Sequence, residues 1–133
     1  MDELWEEVWL ELREALVRQP PRNANSRHPC VLTLGHEVAN DIIRVGEDGI
    51  VVRSERTGRD DFIEARRIQV WWDHLQAEGS ASLIPGGANN PHPWRSRLVG
   101  AIWARCLPHR VEWDRARPNE LRLIGHEAIT RQA

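Results

Sequence analysis

Six histidines, at positions 28, 36, 74, 92, 109 and 126, are the first residues to test for chemistry, because imidazole binds metals and moves protons near neutral pH. None stands in the His-Glu-x-x-His spacing that places two rings on one helix face around zinc. The two cysteines, Cys30 and Cys106, form no Cys-x-x-Cys pair, and each reads as a buried thiol. Asn89, Asn90 and His92 carry side chains found in His-Asn-His nucleases, but residues 95–107 lack the second histidine that chemistry needs on the following helix. Asp60, Asp61 and Glu64 could form part of a nuclease acid cluster. Its Glu-x-Lys partner is missing, and the chain has no lysine at all. The stretch "PGGANNP" is glycine-rich but lacks the lysine of a phosphate-binding loop, and no Gly-x-Ser-x-Gly occurs. The sequence therefore predicts no catalytic residue, no metal site and no cofactor, and a chain that is not an enzyme.

The same stretch is better suited to binding. Gly86 and Gly87 have no Cβ to keep a ligand away from the backbone. Asn89 and Asn90 can pair with adenine edges or with phosphate. His92 and Arg95 can meet phosphate near a helix N-terminus, where anions are favoured. Trp94 can stack on an extruded base or continue an apolar stripe into the core. Arg95 and Arg97 stand off that stripe and are the stronger contact candidates.

Composition sets the frame for these residues. With 133 residues, 41% of them apolar and 29% charged, the chain reads as a single globular domain spanning 1–133. It has no apolar run of about eighteen residues, and its first residues are acidic where a signal peptide is basic, so the expected location is the cytoplasm, without a membrane partner. All 18 basic residues are arginines, whose planar forks suit phosphates and guanine edges. Seven tryptophans accompany one phenylalanine, so most of the tryptophans must fill the core. The net charge of −2 hides an asymmetry. Residues 1–20 hold six acids against Arg13 and Arg18. From residue 80 onward, arginines 95, 97, 105, 110, 115, 117, 122 and 131 face only Glu112, Asp114, Glu120 and Glu127. A basic half of this kind is a candidate footprint for nucleic acid.

The elements that would position these groups follow from periodicity. Trp5, Val8, Trp9, Leu12 and Leu16 mark a helix over 2–18, acidic in its first turn and ended by Pro20-Pro21. Residues 30–34 read as a short strand. The β-branched runs 41–45 and 50–55 flank Gly46-Glu47-Asp48-Gly49 as a hairpin, and a short strand follows at Phe62-Ile63. Ile68, Trp71, Trp72 and Leu75 give a helix over 64–78, with Gly79 as its stop. "SASLI" reads as a strand, and Pro93 suits the first position of a helix running to about residue 107. Val111 and Trp113 alternate with polar neighbours, as do Leu121 and Leu123, which predicts a closing hairpin. The fold class is α+β: an N-terminal helix, an antiparallel hairpin or sheet, two further helices and a C-terminal β-hairpin. The helices at 64–78 and 93–107 with a wing at 110–124 also fit a winged-helix-like arrangement, in which the second helix enters the major groove. A plain α+β sandwich fits the same signals.

Four short motifs add a family resemblance. Asn40–Ile42 opens the hairpin, Glu55–Thr57 ends its second strand, Trp72–Gly79 closes a helix, and Leu98–Pro108 forms a helix ending in Leu-Pro. In this order they resemble small accessory modules appended to prokaryotic restriction endonucleases and related defence proteins. The segment 84–93 is an insertion relative to that pattern. The resemblance implies a non-catalytic DNA-recognition or interaction module, with duplex DNA, modified DNA among it, as ligand and a nuclease domain or other protein as partner. The alternative is a protein-interaction or antitoxin-like subunit that docks through the acidic, tryptophan-rich first helix. On the DNA reading the binding residues are Gly86, Gly87, Asn89, Asn90, His92, Trp94, Arg95 and Arg97.

Overall fold

The computed structural model describes residues 4–125; His126, the last of the six histidines, lies outside them. Three helices and two antiparallel sheets follow one another in an α+β order: α1 (Trp5–Val17), β1 (Cys30–Leu32), β2 (Ala39–Gly46), β3 (Gly49–Ser54), β4 (Asp60–Glu64), α2 (Ala65–Glu78), β5 (Ser80–Ser82), α3 (Ser96–Cys106), β6 (Val111–Trp113) and β7 (Glu120–Leu123). The first sheet is a meander, β1-β2-β3-β4, and the second has the order β5-β7-β6. Both predicted hairpins are present, the first turning tightly between Gly46 and Gly49.

One apolar cluster joins the elements. Val8, Trp9, Leu12 and Leu16 of α1 are buried at the predicted spacing, as are Ile68, Trp71, Trp72 and Leu75 of α2. Trp9, Trp71, Trp72 and Trp103 are the largest side chains in the cluster. Trp103 is fully buried and stacks on Trp72, their centroids 5.2 Å apart, while its Nε1–H donates to the Ile68 carbonyl at 3.1 Å. Bonding the indole N–H offsets the cost of burying it. Trp9 Nε1 donates to the Glu47 carbonyl at 2.9 Å, tying α1 to the β2–β3 turn. Gly79 caps α2 in the left-handed conformation, φ 82°, its N–H bonding the Leu75 carbonyl. Gly100 sits where α3 crosses the second sheet, and a Cβ there would lie 2.6 Å from Leu83 Cδ2.

One expectation needs correction. α3 begins at Ser96, with Arg95 as its left-handed N-cap at φ 47°, so Pro93 lies in the preceding loop and Trp94 is not part of the helical stripe. The reason is local. Ser96 Oγ donates back to the His92 carbonyl and the Trp94 N–H donates to His92 Nδ1, which holds 92–95 in a turn that competes with helix. The winged-helix-like arrangement stays an option, with its second helix mostly buried. The order β5-β7-β6 does pair the closing hairpin with the strand before α3. Yet α3 packs against α1, α2, β1 and β6, and every residue of it except Arg97 and Arg105 is buried. A helix this buried offers a major groove little beyond the arginines at its two ends.

Candidate nucleic-acid interface

The N-terminal end of α3 is where sequence-distant cations meet. The loop 83–95 that leads into it is built on its own polar side chains. Asn89 Oδ1 pairs with His74 Nε2 at 2.7 Å, and Asn89 Nδ2 donates to Ser80 Oγ at 2.9 Å. An amide oxygen only accepts, so His74 carries its proton on Nε2 in this pair. Asn90 Nδ2 donates to the Ser82 carbonyl at 2.8 Å and to Ser96 Oγ at 3.0 Å. At Gly87 the turn is tight, since a Cβ there would lie 3.1 Å from the Ile84 carbonyl oxygen. Gly86, at φ 78°, borders open space. The two asparagines that the sequence offered as base readers are thus turned into the loop's framework, with Gly86 alone left unconfined.

Arg95 and Arg97 behave differently. Arg95 Nη1 pairs with Asp61 at 2.5 Å and Nη2 donates to Asn40 Oδ1 at 2.9 Å, which straps the helix N-cap to the first sheet. Arg97 donates to the Leu34 carbonyl at 3.2 Å and to Asn119 Oδ1 at 2.7 Å. Both partners of Arg97 are neutral, so its guanidinium is positioned with no carboxylate paired to it among the described residues. Together with Arg56, His36, Thr33 and Ser54 these two arginines line a pocket of about 230 Å³. The pocket is framed by the β1–β2 connection, where Glu37 adopts φ 53°, and by the β3–β4 turn, closed by the Gly58 N–H on the Ser54 carbonyl at 2.8 Å. Arg56 is exposed on that turn. Trp94 is half-buried beside the pocket, with the Arg67 guanidinium 4.9 Å and the Arg95 guanidinium 5.6 Å from its ring centroid. It is therefore a cation–π platform rather than an open stacking surface. A second concavity of about 290 Å³, lined by Ser82, Asn89, Arg117, Pro118, Asn119 and Glu120, adjoins the first across the Arg97–Asn119 pair.

What this arrangement can do is hold an anion. Three arginine forks, that of Arg95 shared with Asp61, a histidine and two hydroxyls are donors that phosphate oxygens take, and arginine binds them bidentately. The wider basic footprint read from the sequence is narrower in space. Arg95, Arg110, Arg115, Arg117 and Arg122 all lie within 4.0 Å of a carboxylate, and Arg131 lies outside the described residues. Arg56 and His36 were missed because nothing in the linear sequence ties a turn residue at 56 to a helix end at 95.

The alternative docking surface on α1 fares less well. Trp9 is buried, and Trp5 stacks on it at 5.7 Å while approaching Trp103 at 6.2 Å, so both rings face inward. Both cysteines are free and buried, as expected, and burial raises both thiol pKa values, that of Cys106 to about 12. Among the described residues no group of three or more His, Cys, Asp or Glu is placed to hold a metal ion, and no helix is long and apolar enough to cross a membrane. Compared with known protein families, curated proteins and solved structures, the chain matches none of them.

Proposed function

We propose that this chain is a non-catalytic DNA-binding specificity module that acts in a cytoplasmic restriction or defence setting. The observation that carries the reading is the convergence of Arg56, Arg95, Arg97 and His36 with the Thr33 and Ser54 hydroxyls on one pocket. Arg56 and Arg97 bring charge with no carboxylate among the described residues bonded to them, and Arg67 on Trp94 extends the basic rim. Backbone phosphate is the ligand such a rim takes, and binding it releases counterions. Because α3 is mostly buried, duplex DNA would lie across the helix end and the flanking turns, with phosphate contacts setting register. The likeness of four motifs to accessory modules of restriction endonucleases supports the same reading, with a nuclease domain as the natural partner and modified DNA among the ligands.

Titrations with plain, methylated and phosphorothioate-containing duplexes, each at low and moderate salt, test it. The proposal expects binding that weakens steeply with salt, and one duplex class preferred. Absence of binding to every duplex at low salt would contradict it.

A further inference from the structure

A larger concavity lies at the other end of α3. It is a cleft of about 620 Å³, walled by Pro20 and Pro21 of the loop after α1 and by Pro108 and Trp113, with Leu32, Leu34, Ala104 and Val111 among its apolar residues. That volume and mainly apolar lining fall in the range of built ligand sites. Arg22, Arg105 and Glu112 supply its charge.

Strand register shows what borders it. In the β1–β2 ladder, Ile42 N–H bonds the Pro29 carbonyl and Thr33 N–H bonds the Val38 carbonyl. Hydrogen-bonded pairs alternate in an antiparallel ladder, so Cys30 and Leu32 direct their backbone groups away from β2. The Cys30 N–H meets the Pro20 carbonyl at 3.0 Å, and the Leu32 carbonyl receives Arg105 Nε–H at 2.6 Å. In the β6–β7 ladder, Ile124 N–H bonds the Arg110 carbonyl, so Val111 and Trp113 direct theirs away from β7. The Val111 N–H meets the Leu107 carbonyl at 3.0 Å. Both outward edges therefore face segments that wall the cleft. The Leu32 and Trp113 N–H groups and the Cys30 and Val111 carbonyls are taken up by no described residue. Edge strands with open backbone groups are templates for a further strand.

We infer that the cleft receives an extended peptide of a partner protein, which adds as a strand to the outer edge of β6 and places an acidic side chain against Arg105. Main-chain hydrogen bonds to Val111 and Trp113 hold the strand, and alternate side chains enter the apolar lining. Arg105 selects the acidic residue. Among the described residues no carboxylate pairs with it, its one hydrogen bond is to the Leu32 carbonyl, and its Nη2 is buried without a partner. A buried donor in that state favours an acceptor brought by a ligand, reached by a small movement of the side chain. This inference stands apart from the DNA reading, since it uses the opposite end of α3.

The test is selection of a phage-displayed library of random linear peptides, each of about twelve residues, against the full chain. The best binder is then synthesised in two N-methylated forms, each carrying methyl groups on one alternate set of amides. The expected result is an acidic position in the selected peptides, with one N-methylated form about tenfold weaker and the other little changed, because a strand bonds an edge through alternate residues. Arg105→Gln, which keeps an N–H donor for the Leu32 carbonyl, should weaken the acidic binder by about tenfold. The inference is overturned if no peptide is enriched, if both N-methylated forms bind as well as the parent, or if the binder is indifferent to Arg105→Gln. The N-methylation comparison is made on the unaltered chain, so it stands even if the variant is unstable.

Discussion

The two ends of α3 share a construction and differ in chemistry. At each end an arginine reaches back to a carbonyl of the segment that contains β1, Arg97 to Leu34 and Arg105 to Leu32. At the N-terminal end the surroundings are polar: Arg56, His36, two hydroxyls and the Arg97–Asn119 pair around a pocket of about 230 Å³. At the C-terminal end they are prolines, leucines and Trp113 around a cleft of about 620 Å³ between two sheet edges. A positioned guanidinium does not by itself define a ligand. Its neighbours decide whether it meets a hydrated phosphate in a polar rim or an acidic group carried on an apolar chain.

The largest effect should come from removing what the two ends share. Trp103 is fully buried in α3, stacked on Trp72 and bonded to Ile68. Trp103→Ala should cost about 3–5 kcal/mol. Thermal unfolding should show a large fall in Tm, and both proposed binding activities should fail together.

Next comes the loop. Asn89 and Asn90 each make two side-chain hydrogen bonds within the fold. Replacing either with alanine should cost roughly 1–3 kcal/mol, since half-buried partners lose their bonds. Denaturant unfolding measures this. If the loop is framework, any loss of DNA preference in these variants should come with lost stability; full stability with lost preference would return them to the role of base readers.

A substitution that acts on one end sharpens the comparison further. Arg97→Ala should lower affinity for every duplex alike and cost roughly 1 kcal/mol of stability, because its bonds to Leu34 and Asn119 also hold the helix end. Arg105→Gln should leave duplex titrations unchanged. The smallest effect belongs to the exposed Arg53–Asp60 pair, bonded at 2.6 Å and remote from both ends in role. The hydrogen bond from Arg53 holds the Asp60 pKa below its usual value. Its contribution is therefore present at neutral pH and is lost as pH falls through that lowered value. Asp60→Asn should flatten the pH dependence of Tm slightly in the acid range and leave both ends untouched.

Much of the scaffold was legible in the residues. The 3.6-residue spacing of Val8, Trp9, Leu12 and Leu16, the β-branched runs around Gly46–Gly49 and the left-handed stop at Gly79 each act locally, so the linear pattern carries them. The start of α3 was misplaced by three residues, because a Ser96 hydroxyl bond to the His92 carbonyl overrides the preference of Pro93 for a helix start. The site was legible only in part. Arg95 and Arg97 were identified as standing off the buried stripe, and they do line the pocket. Their partners at positions 33, 36, 54 and 56 come from two turns of a distant sheet and leave no periodic signal. The roles of Asn89 and Asn90 depended on His74, Ser80 and Ser82, which only folding brings beside them. The cleft was invisible for the same reason, since it exists only where the edges of two sheets face α3.

The most direct test of the DNA reading is the salt dependence of duplex binding by the unaltered chain and by Arg56→Ala. Arg56 is exposed and its side chain makes no bond among the described residues, so removing it should leave Tm unchanged. The account predicts weaker binding to all duplexes and a log–log salt slope reduced in magnitude by about one, the loss of one phosphate contact. An unchanged affinity and slope in Arg56→Ala would contradict it.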